Sequence, residues 1–267
     1  GPNGQEFYTP ANPGPGGISI FPINKDNTLG TPTTVNVGRN PIGIITSAAN
    51  NFVYVIEQDS ATTANLLGFS ENASTGALTP LPGVTINPGN VASTGFVTGA
   101  TPSGILEDKS ATHLYLTDQN LNQVASYSVG TNGIPTLIPG GTAQTDAAPM
   151  GMTFDPSGKY LYLVANTANL IDGYTLGSNG QPVPSTVTVS TAAGNGPNCV
   201  TAIGAPSDAN PTHALYLYAS NALSNNITAE QVNQQNGGLE QVQGTPFGGS
   251  TLPSCIVSVP AFPLRNP

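Results

Sequence analysis

The chain of 267 residues contains little charge, since only 7% of its residues are Asp, Glu, Lys or Arg. Five residues are basic and 14 are acidic, which gives a net charge of -9 and leaves nothing to neutralise a run of nucleic-acid phosphates. No apolar run approaches the roughly 20 residues that a membrane-spanning helix needs. Tryptophan is absent, so tyrosine and phenylalanine must supply the aromatic packing. We therefore expect no nucleic-acid partner and no membrane span.

Glycine and proline are abundant instead, with 32 and 25 residues, or about a fifth of the chain. Hydrophobic residues occur in short Tyr/Val/Ile/Leu-rich runs, which indicates many tight turns rather than disorder. A surface of Ser, Thr, Asn and Gln is frequent in exported bacterial proteins, so we expect a secreted, cell-surface or periplasmic protein. Gly1 and Pro2 are compatible with a cleaved tag, a processed leader or a lipidated end, and these alternatives stay open.

A repeat organises the whole sequence. A segment opening with Pro-x-Gly or Pro-x-Cys occurs five times, as NPIGIIT from Asn40, TPSGILE from Thr101, APMGMTF from Ala148, GPNCVTA from Gly196 and LPSCIVS from Leu252. A second segment carries a tyrosine at a fixed place, namely Tyr54, Tyr115, Tyr162 and Tyr216, with Tyr8 as the fifth. A third carries Phe21, Phe69, Tyr127, Tyr174 and, in the last copy, Glu230. We expect these aromatic residues to pack one sheet against the next.

Four short strands per repeat, joined by tight turns and recurring about every 53 residues, predict an all-β, five-bladed β-propeller of four-stranded antiparallel blades. The C-terminal strand is predicted to join the N-terminal blade and close the ring. One domain, 1–267, would then consist of blades at about 1–38 plus 252–263, 40–99, 101–146, 148–194 and 196–250. The alternative is a fragment of a seven-bladed propeller.

The Tyr-centred second strand, the aromatic residue of the third and the Thr-Gly-Ala-Leu-Thr-Pro turn from Thr75 resemble the YVTN-repeat, lactonase-like (phosphogluconolactonase-type) β-propeller family. The resemblance covers nearly all of the chain and implies the propeller fold. It specifies function less closely, because such propellers serve as enzymes, surface proteins and binding modules. Members resembling phosphogluconolactonase usually have about seven blades, so five blades depart from the family pattern.

We call the end of each blade at which its inner strand begins the leading end, and the opposite end the trailing end. Antiparallel topology predicts which residues lie at the leading end. The predicted ligand-binding residues there are Arg39, Asn40, Gln58, Asp59, Asp118, Gln119, Asn120, Asn166 and Asn221. Amides with a few carboxylates and one cation suit neutral polar partners such as glycans. The long segment from Pro82 to Ala100 is expected at the same end.

Acid–base chemistry has few candidates, because Glu107 is the one ionisable residue in the inner-strand register that would reach the axis. Arg39 and Glu107 would serve a lactonase-like hydrolase, but we expect no catalytic residues. Both histidines, His113 and His213, precede a second strand and are interpreted as turn residues. No cofactor or metal is expected, although Asp26, Asn27 and the acids Glu57 and Asp59 leave calcium as an alternative.

The two cysteines occupy equivalent places in successive repeats, where the other copies have glycine. Inner strands of neighbouring blades approach closely near the axis, so a Cys199–Cys255 disulfide is one reading and two buried thiols are the other.

The sequence therefore predicts an exported, non-enzymatic binding or assembly module for a glycan, a cell-surface protein or copies of itself. The first alternative is a lactonase-like hydrolase at the axial mouth. The second is a structural subunit of an extracellular filament or surface layer.

Overall fold

A computed structural model describes residues 6–11, 16–47, 49–87, 92–185, 190–204 and 215–258. Within these ranges the secondary structure is entirely β-strand, without helices, as predicted. Packing divides the chain into two compact units, Gly1–Thr142 and Ala143–Pro267, which are described separately. The predicted single domain over 1–267 stays a prediction.

The first unit contains three antiparallel sheets. The first sheet has the order β1 (Glu6–Ala11), β2 (Gly16–Pro22) and β3 (Thr33–Gly38). The second has β4 (Asn40–Thr46), β5 (Phe52–Gln58), β6 (Ala64–Glu71) and β7 (Leu78–Pro80), with β8 (Phe96–Val97) also paired to β6. The third has β9 (Pro102–Glu107), β10 (His113–Asp118), β11 (Gln123–Val129) and β12 (Pro135–Gln144), whose end crosses the unit boundary.

The second unit contains two further sheets of the same design. The fourth sheet has β13 (Pro149–Phe154), β14 (Tyr160–Ala165), β15 (Leu170–Leu176) and β16 (Pro182–Pro184), with β17 (Ser190–Ala192) also paired to β15. The fifth has β18 (Pro197–Ile203), β19 (Leu215–Asn221), β20 (Asn226–Val232) and β21 (Leu239–Gln241), with β22 (Phe247–Gly248) also paired to β20. In three sheets the outer strand is thus split into two short pieces, where the sequence predicts one extended segment.

Short turns between the second and third strands have a local cause in the sequence. Asn122, Asn169 and Asn225 each precede a third strand and adopt positive φ angles of 47°, 62° and 54°. Asparagine tolerates this left-handed conformation better than most residues, because its short side chain can form local hydrogen bonds. The turn therefore reverses the chain within four residues and sets the antiparallel pairing on either side.

The hydrophobic cores lie between consecutive sheets of each unit. One core joins the first and second sheets through residues such as Ile18 and Phe69, and another joins the second and third through Tyr54 and Leu114. In the second unit, Tyr162 and Leu217 belong to the core between the fourth and fifth sheets. The aromatic residues predicted as core are buried at Tyr54, Tyr115, Tyr162, Phe69, Tyr127 and Tyr174. Phe21 and Tyr216 are only half-buried.

Two of the repeated tyrosines make the same hydrogen bond to the next sheet. The Tyr54 hydroxyl donates to the Gly133 carbonyl at 2.7 Å, and the Tyr162 hydroxyl donates to the Gly237 carbonyl at 2.8 Å. Both glycines have positive φ, and a side chain on Gly133 would collide with the ring of Phe52. The tyrosine position therefore fixes adjacent sheets by a hydrogen bond as well as by packing.

The predicted ring closure involves residues at both ends of the chain. Residues 252–258 belong to no strand, and 259–267 lie outside the described residues. The described part lies along β18, where the Ser258 amide donates to Thr201 Oγ1 at 3.1 Å and the Ser258 hydroxyl donates to the Ala202 carbonyl at 2.9 Å. Pairing of this segment with the Tyr8 strand stays a prediction.

Candidate functional site

An exposed ion pair lies at the leading end of the second sheet. Arg39 Nη1 is 3.1 Å from Asp59 Oδ1 and donates to the Asp59 carbonyl at 3.1 Å. The two side chains are 42% and 27% exposed, so solvent and small molecules can reach both. The Thr63 hydroxyl donates to Asp59 Oδ2 at 3.1 Å, which holds the carboxylate in place. The nine residues predicted to bind a ligand at the leading ends are called the rim residues below. Two of them, Arg39 and Asp59, therefore form a pair of a cation and an anion.

The buried carboxylate of Glu57 holds the backbone of Arg39 in place. Glu57 is fully buried, and its oxygens accept the Arg39 amide at 2.8 Å and the Ser93 amide at 3.0 and 3.2 Å. The Asn65 side-chain amide donates to the same carboxylate at 3.3 Å, while the Ser93 hydroxyl donates to the Val37 carbonyl at 2.9 Å. Glu57 thereby joins the start of the inner strand to the long segment between β7 and β8.

The other sheets hold the corresponding turn with different side chains. Asp118 accepts the Thr101 amide at 3.0 Å, and Asp172 accepts the Asp146 amide at 2.9 Å. In the fifth sheet a hydroxyl replaces the carboxylate, since the Gly194 amide donates to Thr228 Oγ1 at 3.1 Å. Glu57 and Asp118 lie at the ends of second strands, whereas Asp172 and Thr228 lie on third strands. Side chains from two positions of the sheet therefore accept hydrogen bonds from the segment that leads into the inner strand.

Burial corrects the placement of two predicted ligand-binding residues. Asp118 is 3% exposed and also accepts the Thr101 hydroxyl and the Leu121 amide. Asn221 is fully buried, and its side-chain amide donates to Asn226 Oδ1 at 2.8 Å and to Thr228 Oγ1 at 2.9 Å. Neither side chain is available to a partner on the rim, because both are buried and hydrogen-bonded within the protein.

The remaining predicted rim residues are distributed over several sheets. Asn40, Gln58, Gln119 and Asn166 are half-buried, and Asn120 is exposed. The backbone amides of Gln119 and Asn120 donate to Thr101, and the Asn166 side chain donates to the Pro197 carbonyl at 3.0 Å. A contribution of these residues to ligand binding stays a prediction.

The alternative catalytic pair is not brought together. Arg39 precedes β4, whereas Glu107 is the last residue of β9. Gly43 of β4 lies beside Ile105 of β9, and the Asn50 side chain donates to the Ala111 carbonyl at 3.4 Å, so the two inner strands run in the same direction. Arg39 and Glu107 are thus separated by about six residues of strand, or roughly 20 Å.

Glu107 lies nearer the core than the rim. Burial, with a smaller contribution from the Glu107 carboxylate, raises the pKa of Tyr54. Because Tyr54 belongs to the core between the second and third sheets, Glu107 is placed at the edge of that core.

The described histidine belongs to a turn at the trailing end of the third sheet. His113 Nδ1 lies 3.0 Å from Asp108 Oδ2, and the amides of Thr112 and His113 donate to Asp108 Oδ1 at 2.9 Å. Burial opposes the lowering of the Asp108 pKa, but hydrogen bonds from Ser110 and His113 outweigh it. His213 lies outside the described residues.

The fourth sheet repeats this turn without a histidine. The amides of Ser157 and Tyr160 donate to Asp155 at 2.9 and 2.7 Å. The Asp108 carboxylate thus has the structural task that Asp155 performs, which favours the interpretation of His113 as a turn residue.

The residues suggested for calcium do not form one cluster. Asp26 Oδ1 accepts the amide and the hydroxyl of Thr28 in the turn between β2 and β3, and these bonds lower the pKa of Asp26. Glu57 and Asp59 lie instead at the leading end of the second sheet. Within the described ranges no three His, Cys, Asp or Glu side chains group together as metal ligands. The absence of a metal or cofactor stays a prediction.

A disulfide joins the two cysteines in the second unit. Cys199 and Cys255 are bonded, with Cα atoms 4.9 Å apart. Cys199 lies on β18, next to Gly151 of β13, and Cys255 lies on the segment that follows the fifth sheet. The bond attaches that segment to the inner strand, beside the hydrogen bonds of Ser258.

Comparison with known proteins identifies the architecture. Among the described residues, no helix is long and apolar enough to span a membrane. The search of curated proteins gave no match. A candidate 6-phosphogluconolactonase from Bacteroides uniformis is similar in structure, with a TM-score of 0.74, 19% identity, and coverage of 95% of this chain and 71% of that one.

Two further solved structures share the fold. The periplasmic gluconolactonase of Pseudomonas aeruginosa has a TM-score of 0.70 and 13% identity, covering 93% of this chain and 69% of that one. An auxiliary nutrient binding protein from Bacteroides thetaiotaomicron has a TM-score of 0.60 and 15% identity, covering 95% and 61%. At these identities the likeness shows the fold alone.

The family model described as "Lactonase, 7-bladed beta-propeller" matches residues 108–254, which is more than half of the chain. This match agrees with the repeated antiparallel sheets and with the alternative of a fragment of a seven-bladed propeller. The chain belongs to the lactonase family of seven-bladed β-propellers.

Proposed function

We propose that the protein is a lactonase-like hydrolase whose site is the Arg39–Asp59 pair at the leading end of the second sheet. The observation that carries the proposal is the pair itself in a chain of the lactonase family: a half-exposed guanidinium lies 3.1 Å from a held carboxylate. The sequence alternative pairs Arg39 with Glu107. Here Arg39 is retained, and Asp59 takes the place of Glu107, which lies at the trailing end of its strand.

The two side chains supply complementary parts of ester hydrolysis. Asp59 accepts a proton from water as the water oxygen attacks the lactone carbonyl carbon. Arg39 donates hydrogen bonds to the carbonyl oxygen as it becomes negatively charged. When the ring carbon–oxygen bond breaks, the leaving oxygen takes the proton from Asp59, and the product is an open-chain hydroxy acid. Glu57 holds the Arg39 backbone and does not contact the substrate.

The charge near the pair favours an uncharged lactone. Among the described residues of the first unit, Arg39 is the one cation at a leading end, since Lys25 and Lys109 lie in turns at trailing ends. Glu57 and Asp59 carry negative charge beside it. A phosphate group would find a single cation that already pairs with a carboxylate, so we expect a neutral sugar lactone to react faster than its phosphorylated counterpart.

The test measures hydrolysis of glucono-δ-lactone and 6-phosphogluconolactone, corrected for spontaneous opening. We expect the neutral lactone to be preferred, and Asp59→Asn and Arg39→Ala each to lower kcat/KM by about 100-fold or more. Asp26→Asn is the matched control, because it removes one exposed carboxylate of the same unit and leaves the pair intact. Turnover unchanged in both site variants would reject the site, and an inactive wild-type protein would reject the hydrolase.

A binding module is the second candidate, and the half-buried amides at the leading ends favour it. The structural neighbour described as a nutrient binding protein has the same fold without a named catalytic activity. In this proposal the amides bind a glycan or a cell-surface protein, or join copies of the chain. Calorimetry with neutral oligosaccharides would show saturable binding that Asn120→Ala weakens; a hydrolase without such binding would count against it. Assembly into a filament would be visible by electron microscopy.

A further inference from the structure

Glu230 stands where other copies of the repeat have an aromatic residue. It lies on β20 and corresponds to Phe69, Tyr127 and Tyr174 on the third strands of other sheets. Glu230 is fully buried, and neither carboxylate oxygen has a hydrogen-bond partner within the described part of the chain. A buried carboxylate without partners is costly, so its charge state should be coupled to the packing around it.

Apolar core residues flank Glu230 on its own strand and on β19. It lies opposite Leu217 of β19 and Gln241 of β21, and Val232 lies two residues further along the same strand face. Leu217 and Val232 belong to the core that the fifth sheet shares with Tyr160 and Tyr162 of the fourth. Glu230 is therefore an ionisable group at the boundary between two packed sheets.

Within the described ranges, no cation on the surrounding strands offsets a charge on Glu230. The titratable groups on those strands are Tyr160 and Tyr162 on β14, Asp172 and Tyr174 on β15, Tyr216 and Tyr218 on β19, and Glu240 on β21. Burial alone raises the pKa of Glu230 to about 7. The carboxyl group of Glu230 therefore changes charge near neutral pH.

The equivalent tyrosines show what Glu230 replaces. In the first unit, the Tyr127 hydroxyl donates to the Val97 carbonyl at 3.1 Å. In the second unit, the Tyr174 hydroxyl donates to the Gln144 carbonyl at 2.8 Å. Burial raises the pKa of Tyr127 to about 12, so this contact is unaffected by pH in the neutral range. A glutamate at the same position is uncharged only while it carries a proton.

We propose that the protonation state of Glu230 controls how firmly β20 packs against the fourth sheet. We call this arrangement the lock between the fourth and fifth sheets. The protonated side chain packs as a neutral group in the shared core. When it loses its proton to water, the carboxylate requires hydration, and β20 separates more readily from the fourth sheet. The proposal is independent of the Arg39–Asp59 site.

The effect can be measured as the opening of β20. If the pKa is about 7 in the closed sheet and 4.5 in the open one, the opening equilibrium rises by about 200-fold between pH 4 and pH 8. Hydrogen exchange of the peptide covering Asn226–Val232, corrected for intrinsic rates, reports this change. We expect it in the wild-type protein and in Glu240→Gln, which removes an exposed carboxylate from the neighbouring strand. Glu230→Gln and Glu230→Tyr should abolish it.

Carbon-13 NMR titration of the wild-type glutamate carboxyls gives an answer that needs no variant. A Glu230 signal that titrates near pH 7 supports the lock, and one that titrates near 4.5 overturns it. Equal pH dependence of β20 exchange in wild type and Glu230→Gln would also overturn it. If Glu230→Gln fails to fold, the wild-type titration decides.

Discussion

Removing the disulfide should destabilise the second unit by an amount that its position in the chain determines. Cys199 and Cys255 are 56 residues apart, and cross-linking a loop of this length lowers the entropy of the unfolded chain. The loop-entropy relation gives about 4 kcal/mol at 25 °C. The folded segment keeps other contacts, since Ser258 bonds to β18 and the Leu252 amide donates to Asn225 Oδ1 at 2.7 Å. We therefore expect Cys199→Ala with Cys255→Ala to fold with lower stability.

The assay is urea unfolding followed by tyrosine fluorescence, because the chain has nine tyrosines and no tryptophan. With a urea dependence of about 2 kcal/mol/M, a loss of 4 kcal/mol lowers the midpoint by about 2 M. Reductant should shift the wild-type midpoint by a similar amount and leave the double variant unchanged. This second comparison separates the cross-link from the effect of replacing two sulfur atoms.

Two results would refute the reasoning. Two alkylatable thiols in unreduced, denatured wild-type protein would show that the bond is not formed. A midpoint that reductant does not change, in protein shown by mass to be oxidised beforehand and reduced afterwards, would show that the closed loop does not limit the unfolded chain.

Three further substitutions and one control variant test the contacts between and within sheets. Tyr54→Phe and Tyr162→Phe should each cost about 1–2 kcal/mol in the free energy of unfolding, because each leaves a buried carbonyl without its donor; losses below about 0.3 kcal/mol in both would contradict the repeated hydrogen bond. Glu57→Gln should cost about 2–3 kcal/mol, because the amide group that replaces one oxygen cannot accept the hydrogen bonds converging there. Glu240→Gln, on an exposed strand, is the control for Glu57 and should stay within about 0.5 kcal/mol of wild type. Urea unfolding measures all four, and equal stability of the two glutamine variants would argue against a role for the buried carboxylate.

Some side-chain roles are recognisable from the repeated sequence pattern. Tyr54 and Tyr162 occur at the same place in two copies of the repeat, and both are buried against the next sheet. Their hydrogen bonds to glycine carbonyls could not be foreseen, because the partners lie 79 and 75 residues away. The splitting of the outer strands was also missed, because their short pieces lack a strong alternating pattern.

The candidate site was only partly accessible to sequence reasoning. Arg39 and Asp59 were both expected at the leading end, but no local pattern shows that a residue 20 positions further on supplies the partner carboxylate. Sequence reasoning places Asp118 at a strand end and Asn221 in the following loop, both on the rim, whereas contacts with other segments of the chain decide their burial. The sequence offers Glu57 only as a possible calcium ligand, whereas its acceptance of the Ser93 amide depends on a segment 36 residues away.

The amino-acid sequence by itself determined most of the strands, their antiparallel order and the repeat that places this chain among lactonase-like propellers, because these features depend on neighbours in the chain and on turn chemistry. Tertiary structure alone decided which polar groups are buried. Glu230 shows the difference: the repeat marks it as an exception, but only the packing of the fourth and fifth sheets removes it from water and so makes its charge costly.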